Sequence, residues 1–491
     1  LEADGEVPSP SRMPQLAGMG EGKANWYARG TLAAGRIDTH FGVLLRDYRS
    51  GDVSLSQAAI VGRLTGSLDR PVVDASLVGR DAHLAGLDFP NLRATALGPV
   101  TRPQIVANLV HDRLPLLTAK GRLRVASGGA VIDDLELSAS RRDIALVARA
   151  NKASFGEGGI AVPSFTIEGA GKVQGAVHIE GSRFAVRART EEDLDIGLIA
   201  SLFEARSQAE MAVARLRNGV LSAAFPVVWS NYVDGVGASF DFELEKSRNV
   251  ERGHLELQIA QRRPIALPDL RIRADFPVDG SEISGSGVTI ALGDIVSVTA
   301  LPEQAKLAGS LLDPASWEKV TGQLSLRSSI DFDEVNQLTT FLPDGPLPFR
   351  KLGGKLSTRL AVRREQGDAY PDLELATSTK GFELEAKIPS TEEGEGPETL
   401  SSRGLDLSVV ASIDVEEEKA KFRGVIAHEG KDLVELVAEA QPPFAQMLAE
   451  PRRALQLFEK SPLEMHLRVP RTQLSSLPPF LRPEWFEGEV Q

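Results

Sequence analysis

The seven histidines of this chain stand singly along its 491 residues. None is spaced His-x-x-x-His or His-Glu-x-x-His, the patterns that put two imidazoles on one helix face around zinc. His83, His178 and His254 fall in or beside strand-like stretches and read as residues of a solvated strand face. Cysteine is absent, which removes thiol catalysis, disulfides and Cys-based zinc sites together. The acidic clusters Asp133–Asp134, Glu191–Asp193 and Asp331–Glu334 have the chemistry for calcium or for acid–base work. None has the spacing of an EF-hand loop, and solvated strand and helix ends account for them. GMGEGK (18–23) and GAGKVQG (169–175) touch on phosphate-binding glycine loops, but the spacing and the following helix are missing. They read as turns. Ser182 and Ser201 lack the frame of a nucleophile elbow. The pairs Arg141–Arg142, Arg262–Arg263, Arg363–Arg364 and Arg452–Arg453 have headgroup-binding chemistry and also suit strand ends in water. The expectation is no enzyme, no cofactor and no metal.

The elements that carry these residues are strands. LPDLRIRADF (267–276) places Leu270, Ile272, Ala274 and Phe276 on one side and Arg271, Arg273 and Asp275 on the other. That is the period-2 mark of a strand with one apolar face. FPNLRATA from Phe89, VPSFTIEG from Val162 and YPDLELAT from Tyr370 repeat the plan, each with a proline expected ahead of the ladder, where its missing N–H does no harm. Val73, Ala75 and Leu77 alternate in the same way, as do Leu255, Leu257 and Ile259, and Leu356, Leu360 and Val362. Composition agrees with a globular, strand-rich chain: 42% hydrophobic and 25% charged, with 45 Gly and 29 Pro to punctuate it. The net charge of −13 gives no basic excess for a phosphate backbone, so nucleic acid is not an expected partner.

Helical spacing is brief. It occurs in EEDLDIGLIASLFEA (191–205), in DFDEVNQLTTFLP (331–343), and in 442–462, which reads as two short helices broken at Pro451. STEEGEGPETLSS (390–402) reads as a solvated loop. No run reaches the roughly 18–20 apolar residues of a membrane helix, and the start is not a signal peptide. Both ends look cut, so the chain is expected to be a piece of a longer protein. The expected plan is an irregular lead-in over 1–30 and strand-repeat segments over 31–190, 191–330 and 331–491, the last two opened by a short helix. Strands that keep adding without closing after about 100 residues make a long sheet, a solenoid or an open trough rather than a sandwich.

The stretch GRLTGSLDRPVVDASLVGRDAHLAGLDFPNLRATA (62–96) resembles the repeated unit of the TamB and AsmA-like family, bacterial relatives of bridge-like lipid transfer proteins. The short helix ahead of a Gly-started strand in LSSLPPFLRPEWFEGEVQ (474–491), EEDLDIGLIASLF (191–203) and DEVNQLTTFLP (333–343) resembles the same family. The resemblance is one of pattern, spread over most of the chain. It is clearest at 50–205 and 320–491 and weakest at 232–300. It implies an elongated all-β sheet curled into a half-pipe, a β-taco, with an apolar inner face and a few short helices. It implies work in the periplasm of a bacterial envelope. There the chain would shield phospholipid acyl chains between the inner and outer membranes. Its partners would be the inner membrane, through residues outside this chain, and an outer-membrane β-barrel assembly protein.

The residues themselves lend the trough support. Aliphatic side chains outnumber aromatic ones, few helices serve as lids, and acyl chains need apolar area without directional bonds. The groove candidates are Val73, Ala75, Leu77, Leu255, Leu257, Ile259, Leu270, Ile272, Ala274, Phe276, Leu356, Leu360 and Val362. Two other classes stay open. One is an assembly factor offering sheet edges to client strands. The other is a β-helical adhesin or carbohydrate enzyme, which the 4 Trp and 4 Tyr of the chain serve poorly.

Overall fold

The computed structural model describes residues 2–7, 21–50, 53–84, 87–111, 114–126, 129–156, 158–204, 235–247, 250–261, 267–307, 309–310, 314–317, 320–339, 349–365, 368, 371–388, 398–449, 453–470, 472–473 and 489–490. The fold is all-β with a few short helices. The chain divides into two units. The first is Leu1–Val213, Asn231–Arg248 and Gln261–Ile265; the second is Ala214–Ser230, Asn249–Ala260 and Ala266–Gln491.

The sheet of the first unit is an antiparallel meander. Its strands are Glu2–Val7, Glu21–Ala33, Arg36–Ser50, Val53–Ser67, Arg70–Leu84, Leu87–Pro99, Gln104–Val110, Leu116–Ala126, Gly129–Arg141, Ile144–Gly156, Gly159–Glu168, Lys172–Glu180 and Arg183–Glu192, each paired with the next. The last of them pairs onward with Val236–Lys246. In the second unit the same plan runs through Leu267–Asp279, Gly287–Leu292, Val296–Lys306, Thr321–Asp331, Phe349–Arg364, Asp372–Ile388, Glu398–Asp414, Lys419–His428, Lys431–Ala440 and Leu463–Arg468.

Local chemistry explains the meander. Ala34–Gly35 and Glu429–Gly430 are two-residue loops with positive φ at both positions. That is the turn whose twist matches the flanking strands. Longer strands are bent by bulges. Asp47, Asp81 and Asp134 sit inside strands at φ of 51°, 48° and 54°, a conformation that aspartate tolerates better than most residues. At one of them the Ser56 hydroxyl donates to the Asp81 carboxylate at 2.8 Å.

The prolines are placed differently from the expectation. Pro371 precedes its strand and Pro268 is second in its own, but Pro90 and Pro163 lie within strands. Pro90 faces Asp81, where the ladder skips one residue on each strand without a register shift, and beside Pro163 a bulge shifts the register between Val162 and Phe165. A bulge frees the residue from donating to the ladder, so proline costs little there.

The irregular lead-in over 1–30 is corrected to strand at Glu2–Val7 and Glu21–Ala33. Its alternation is faint in the sequence because the inward positions include Gly5, Ala24 and Ala28. The expected loop at 390–402 lies outside the described residues as far as 397, and 398–402 belong to Glu398–Asp414. Helices occur where the spacing placed them: Ile196–Leu202, Phe332–Thr339, and Phe444–Ala449 and Ala454–Glu459 either side of Pro451. A four-residue turn of helix, Pro314–Trp317, was not expected. Asp195 caps the first helix by accepting from the Leu198 N–H at 2.9 Å.

Candidate functional site: an apolar sheet face

Opposite residues of an antiparallel pair share a face, so the register alone sorts the side chains. In the second unit Ala274, Val288, Ala300, Leu326, Leu360, Leu375, Ala411, Phe422, Ala438 and Met465 form one row across ten strands. One residue along, on the other face, runs Arg273, Thr289, Thr299, Arg327, Arg359, Ala376, Val410, Arg423, Val437 and His466. The first row has no charge and the second carries ion pairs, among them Arg273–Glu256 at 2.7 Å and Arg423–Glu435 at 2.8 Å.

The expected groove residues fall on the apolar face. Leu356 stands opposite Ile330, Leu360 opposite Leu326, and Val362 opposite Leu324. Leu270, Ile272 and Ala274 face Leu292, Ile290 and Val288, and Phe276 continues their side. Leu255, Leu257 and Ile259 join them on the strand Val250–Gln261. Its alternate residues Glu256 and Gln258 bond to Arg273 and Asp269 on the charged face. In the first unit Val73, Ala75 and Leu77 pair with Leu64, Gly62 and Ile60. The row through Leu77 runs from Gly5, Trp26 and Val43 to Ala148, Ile167 and Val173. Its other face holds the chain Lys120–Glu136–Arg149–Glu168, linked at 3.0 to 3.2 Å.

Among the described residues much of this apolar face has no second layer. Most of the groove residues are accordingly half-buried, neither sealed nor fully open. Closure is local. In the second unit Phe332 and Val335 of the helix Phe332–Thr339 cover Leu270, Leu292, Val296, Ile330 and Leu352. Phe332 stacks edge-on to Phe382 at 5.7 Å. A second cluster, Val278, Ile283, Ala305 and Leu307, gathers Phe276 and Val320. Leu270, only 3% exposed, therefore belongs to a closed core, a correction to its place among the groove candidates.

The face of the first unit is rich in small residues, and its aromatic rings lie over them. Trp26 stands opposite Gly5, Phe41 opposite Gly62 and Phe165 opposite Gly175. A Cβ at Gly62 would come within 2.7 Å of the Phe41 ring, and one at Gly175 within 2.3 Å of the Phe165 ring. The glycines make room for rings that fold flat along the sheet instead of standing out from it.

The chemistry-bearing residues are accounted for by structure. His83 pairs with Asp88 at 2.7 Å, and His178 lies 3.9 Å from Glu180. Asp133 takes Arg102 at 2.8 Å, and Glu191 takes Lys172 at 2.8 Å. Asp331 takes Lys355 at 2.8 Å and accepts the Asp333 N–H at 3.1 Å. Ser201 donates to the Gly197 carbonyl of its own helix. Arg141 meets Glu204, and Arg363 meets Glu365. Arg262, Arg263 and Arg452 lie outside the described residues, as does GMG of the first glycine stretch. The second is a turn between two strands.

Carboxyl pKa shifts follow from these pairs. Lys355 holds Asp331 low, Lys120 and Arg149 hold Glu136 low, and Lys351 holds Glu383 low. Glu416 is raised by Asp368 beside it, in an exposed turn. Among the described residues no group of three or more His, Asp or Glu is placed to hold a metal ion. The surface hollows open on the charged faces. One of about 690 Å³ is lined by Arg149, Arg187, Asp241 and Glu243, with Arg187 and Glu243 paired at 2.8 Å. That hollow is a dip between ion-paired side chains.

Alternation in KLSTRLAVRR sets Thr358 on the same side as Leu356, Leu360 and Val362, but sequence reasoning missed the row of hydroxyls it joins within the apolar face of the second unit. Ser328, Thr358 and Thr377 lie opposite one another on adjacent strands. Their signal was present in KLSTRLAVRR, where Thr358 falls between Leu356 and Leu360, but a single threonine in a strand carries no weight until the register aligns it with its neighbours.

Comparison with protein-family models, with curated proteins and with solved structures finds no match. What the fold and the site define is an all-β chain of antiparallel meanders, with one apolar and one charged sheet face in each unit.

Proposed function

We propose that the chain is a lipid-holding segment of a conduit in the bacterial periplasm, its apolar sheet faces shielding phospholipid acyl chains. The observation that carries this reading is the apolar row that stays in register across ten strands of the second unit without a second layer over most of it. Such a face is costly in water. An acyl chain covers it and gains about 0.8 kcal/mol per buried CH₂, with no demand for directional bonds. The charged face keeps the sheet in water. On this reading the partners are phospholipid and the two membranes, reached through other segments or proteins, with an outer-membrane β-barrel assembly protein at one end. Among the described residues no helix is long and apolar enough to cross a membrane.

A second reading has its own observation. The strand Leu463–Arg468 pairs with Lys431–Ala440, and its Leu463, Met465 and Leu467 are 57%, 62% and 67% exposed. Among the described residues no strand pairs with its other edge, and such an edge suits the addition of a client strand in an assembly factor. Native mass spectrometry and lipid extraction of the purified chain decide between them. Co-purifying phospholipid is expected. A chain that never carries lipid, yet binds unfolded outer-membrane strands, overturns the first reading in favour of the second.

A further inference from the structure

The apolar face of the second unit is interrupted at one place. Ser328, Thr358 and Thr377 form a row of hydroxyls across three adjacent strands, with Ile330 and Leu356 on one side and Leu326, Leu360 and Leu375 on the other. All three are half-buried. The Thr377 hydroxyl donates to Thr358 at 3.2 Å. The nearby Thr379 is already engaged, accepting the Leu407 N–H at 2.7 Å. The Thr358 proton and the Ser328 hydroxyl have no partner among the described residues. Water satisfies them while the face is bare. On one side Ile330 and Leu356 already belong to or pack against the cluster under Phe332; once hydrocarbon covers Leu326, Leu360 and Leu375 on the other, those two donors lose water and need acceptors, because an unpaired buried hydroxyl is unfavourable.

We infer that this row is a specificity site within the lipid face, taking the ester carbonyls of a diacyl lipid. The inference rests on the lipid-holding reading given above. The match is chemical. A diacyl glycerolipid carries two carbonyl acceptors at the head of two hydrocarbon chains, and the face carries two free donors bordered by two apolar rows. A lipid lying across the strands sets its carbonyls on Ser328 and Thr358 and its chains along the leucines. An alkane fits the leucines and leaves the donors unpaired. The row thereby fixes where along the sheet the junction between headgroup and chains rests.

The test is a competition on the full chain. The purified protein is equilibrated with equal amounts of diester phosphatidylcholine and its diether analogue of the same chain length, which lacks the carbonyls, and retained lipid is quantified by mass spectrometry. The expected result is a preference for the diester of about tenfold, in the range that two ordinary hydrogen bonds supply. The S328A/T358V double variant, close in volume and checked for folding by circular dichroism, should hold both lipids equally. Equal retention by the unaltered protein overturns the inference while leaving lipid binding intact. A preference that survives in the folded double variant overturns the assignment to this row. Retention of neither lipid overturns the underlying reading as well. Should the double variant fail to fold, the competition on the unaltered protein still decides.

Discussion

Leu360→Asp separates an open lipid face from a closed core. Leu360 is half-buried between Leu326 and Leu375. Complete burial of a leucine is worth about 1.5–3 kcal/mol, so losing a half-buried one costs about 1–1.5 kcal/mol. In the lipid-free protein the new carboxylate still reaches water, so no large desolvation cost is added. For a unit of about 250 residues each kcal/mol lowers Tm by about 2–4 °C, and the expected drop is about 3–5 °C. Leu270→Asp differs. Leu270 is 3% exposed beneath Phe332 and Val335. Its replacement loses the whole side chain and strands a carboxylate in a closed cluster, several kcal/mol more, against a total of about 5–15 kcal/mol for a domain. Leu270→Asp should unfold the second unit, whereas Leu360→Asp should melt cooperatively near the unaltered protein and lose its lipid. Arg359→Gln, one residue along on the charged face, should change neither melting nor lipid content. Thermal melting by circular dichroism, with lipid measured by mass spectrometry on the same samples, reads all three. If Leu360→Asp unfolds as Leu270→Asp does, the face at Leu360 is a closed core and the reasoning fails. It fails equally if folded Leu360→Asp keeps its full lipid.

Gly62→Val should destabilise the first unit by about 1–3 kcal/mol, because its Cβ meets the Phe41 ring at 2.7 Å and the Ala75 Cβ at 2.8 Å; no fall in melting temperature would show that the ring moves aside freely. Asp331→Asn removes the partner of Lys355 and alters the cap of the helix Phe332–Thr339, and should cost about 1 kcal/mol at pH 7. Because Lys355 holds the Asp331 carboxyl below its ordinary value, its contribution is complete above about pH 4 and fades as the pH falls further. The melting difference between Asp331→Asn and the unaltered protein should therefore close toward pH 3, and a gap that widens on acidification would contradict the pairing. Met465→Lys places a charge on the exposed edge strand and should lower any concentration-dependent association seen by light scattering, without changing Tm by more than a degree or two.

Period-2 alternation alone assigned strand type and face correctly at Leu270–Phe276 and Leu356–Val362, because those stretches set leucine and isoleucine against arginine. It was nearly silent at Glu21–Ala33, where alanine and tryptophan share the inward face and the contrast between faces is small. The division of 442–462 into two short helices was legible because proline acts within a few residues. What stayed hidden was whatever depends on register. Ser328, Thr358 and Thr377 are 30 and 19 residues apart in sequence and become one row only when three strands align. The same holds for the aromatic rings over Gly5, Gly62 and Gly175. The closed cluster around Leu270 was hidden for another reason. Covering it takes a helix that begins about sixty residues later, and no local pattern announces that contact.

These hidden features bear on how a single layer of sheet can be both stable and receptive. A sandwich seals its apolar face with a second sheet and gives up access to it. Among the described residues sealing occurs where a helix or short strand folds over the face, as Phe332 and Val335 do over Leu270 and Leu292. Elsewhere stability has to come from neighbours within the layer: the backbone ladder, cross-strand ion pairs on the charged side, and rings laid over glycine on the other. Phe41 over Gly62 is an example. The ring gains contact from the glycine strand beneath it, so it loses exposed area without needing a lid. The hydroxyl row is the counterpart on the receptive side. It sits beside the cluster that Phe332 and Val335 close, among residues that remain half-buried, and on the reading proposed above its polar groups meet a ligand's acceptors there. In the cluster under Phe332 the same hydroxyls would be shut away without partners.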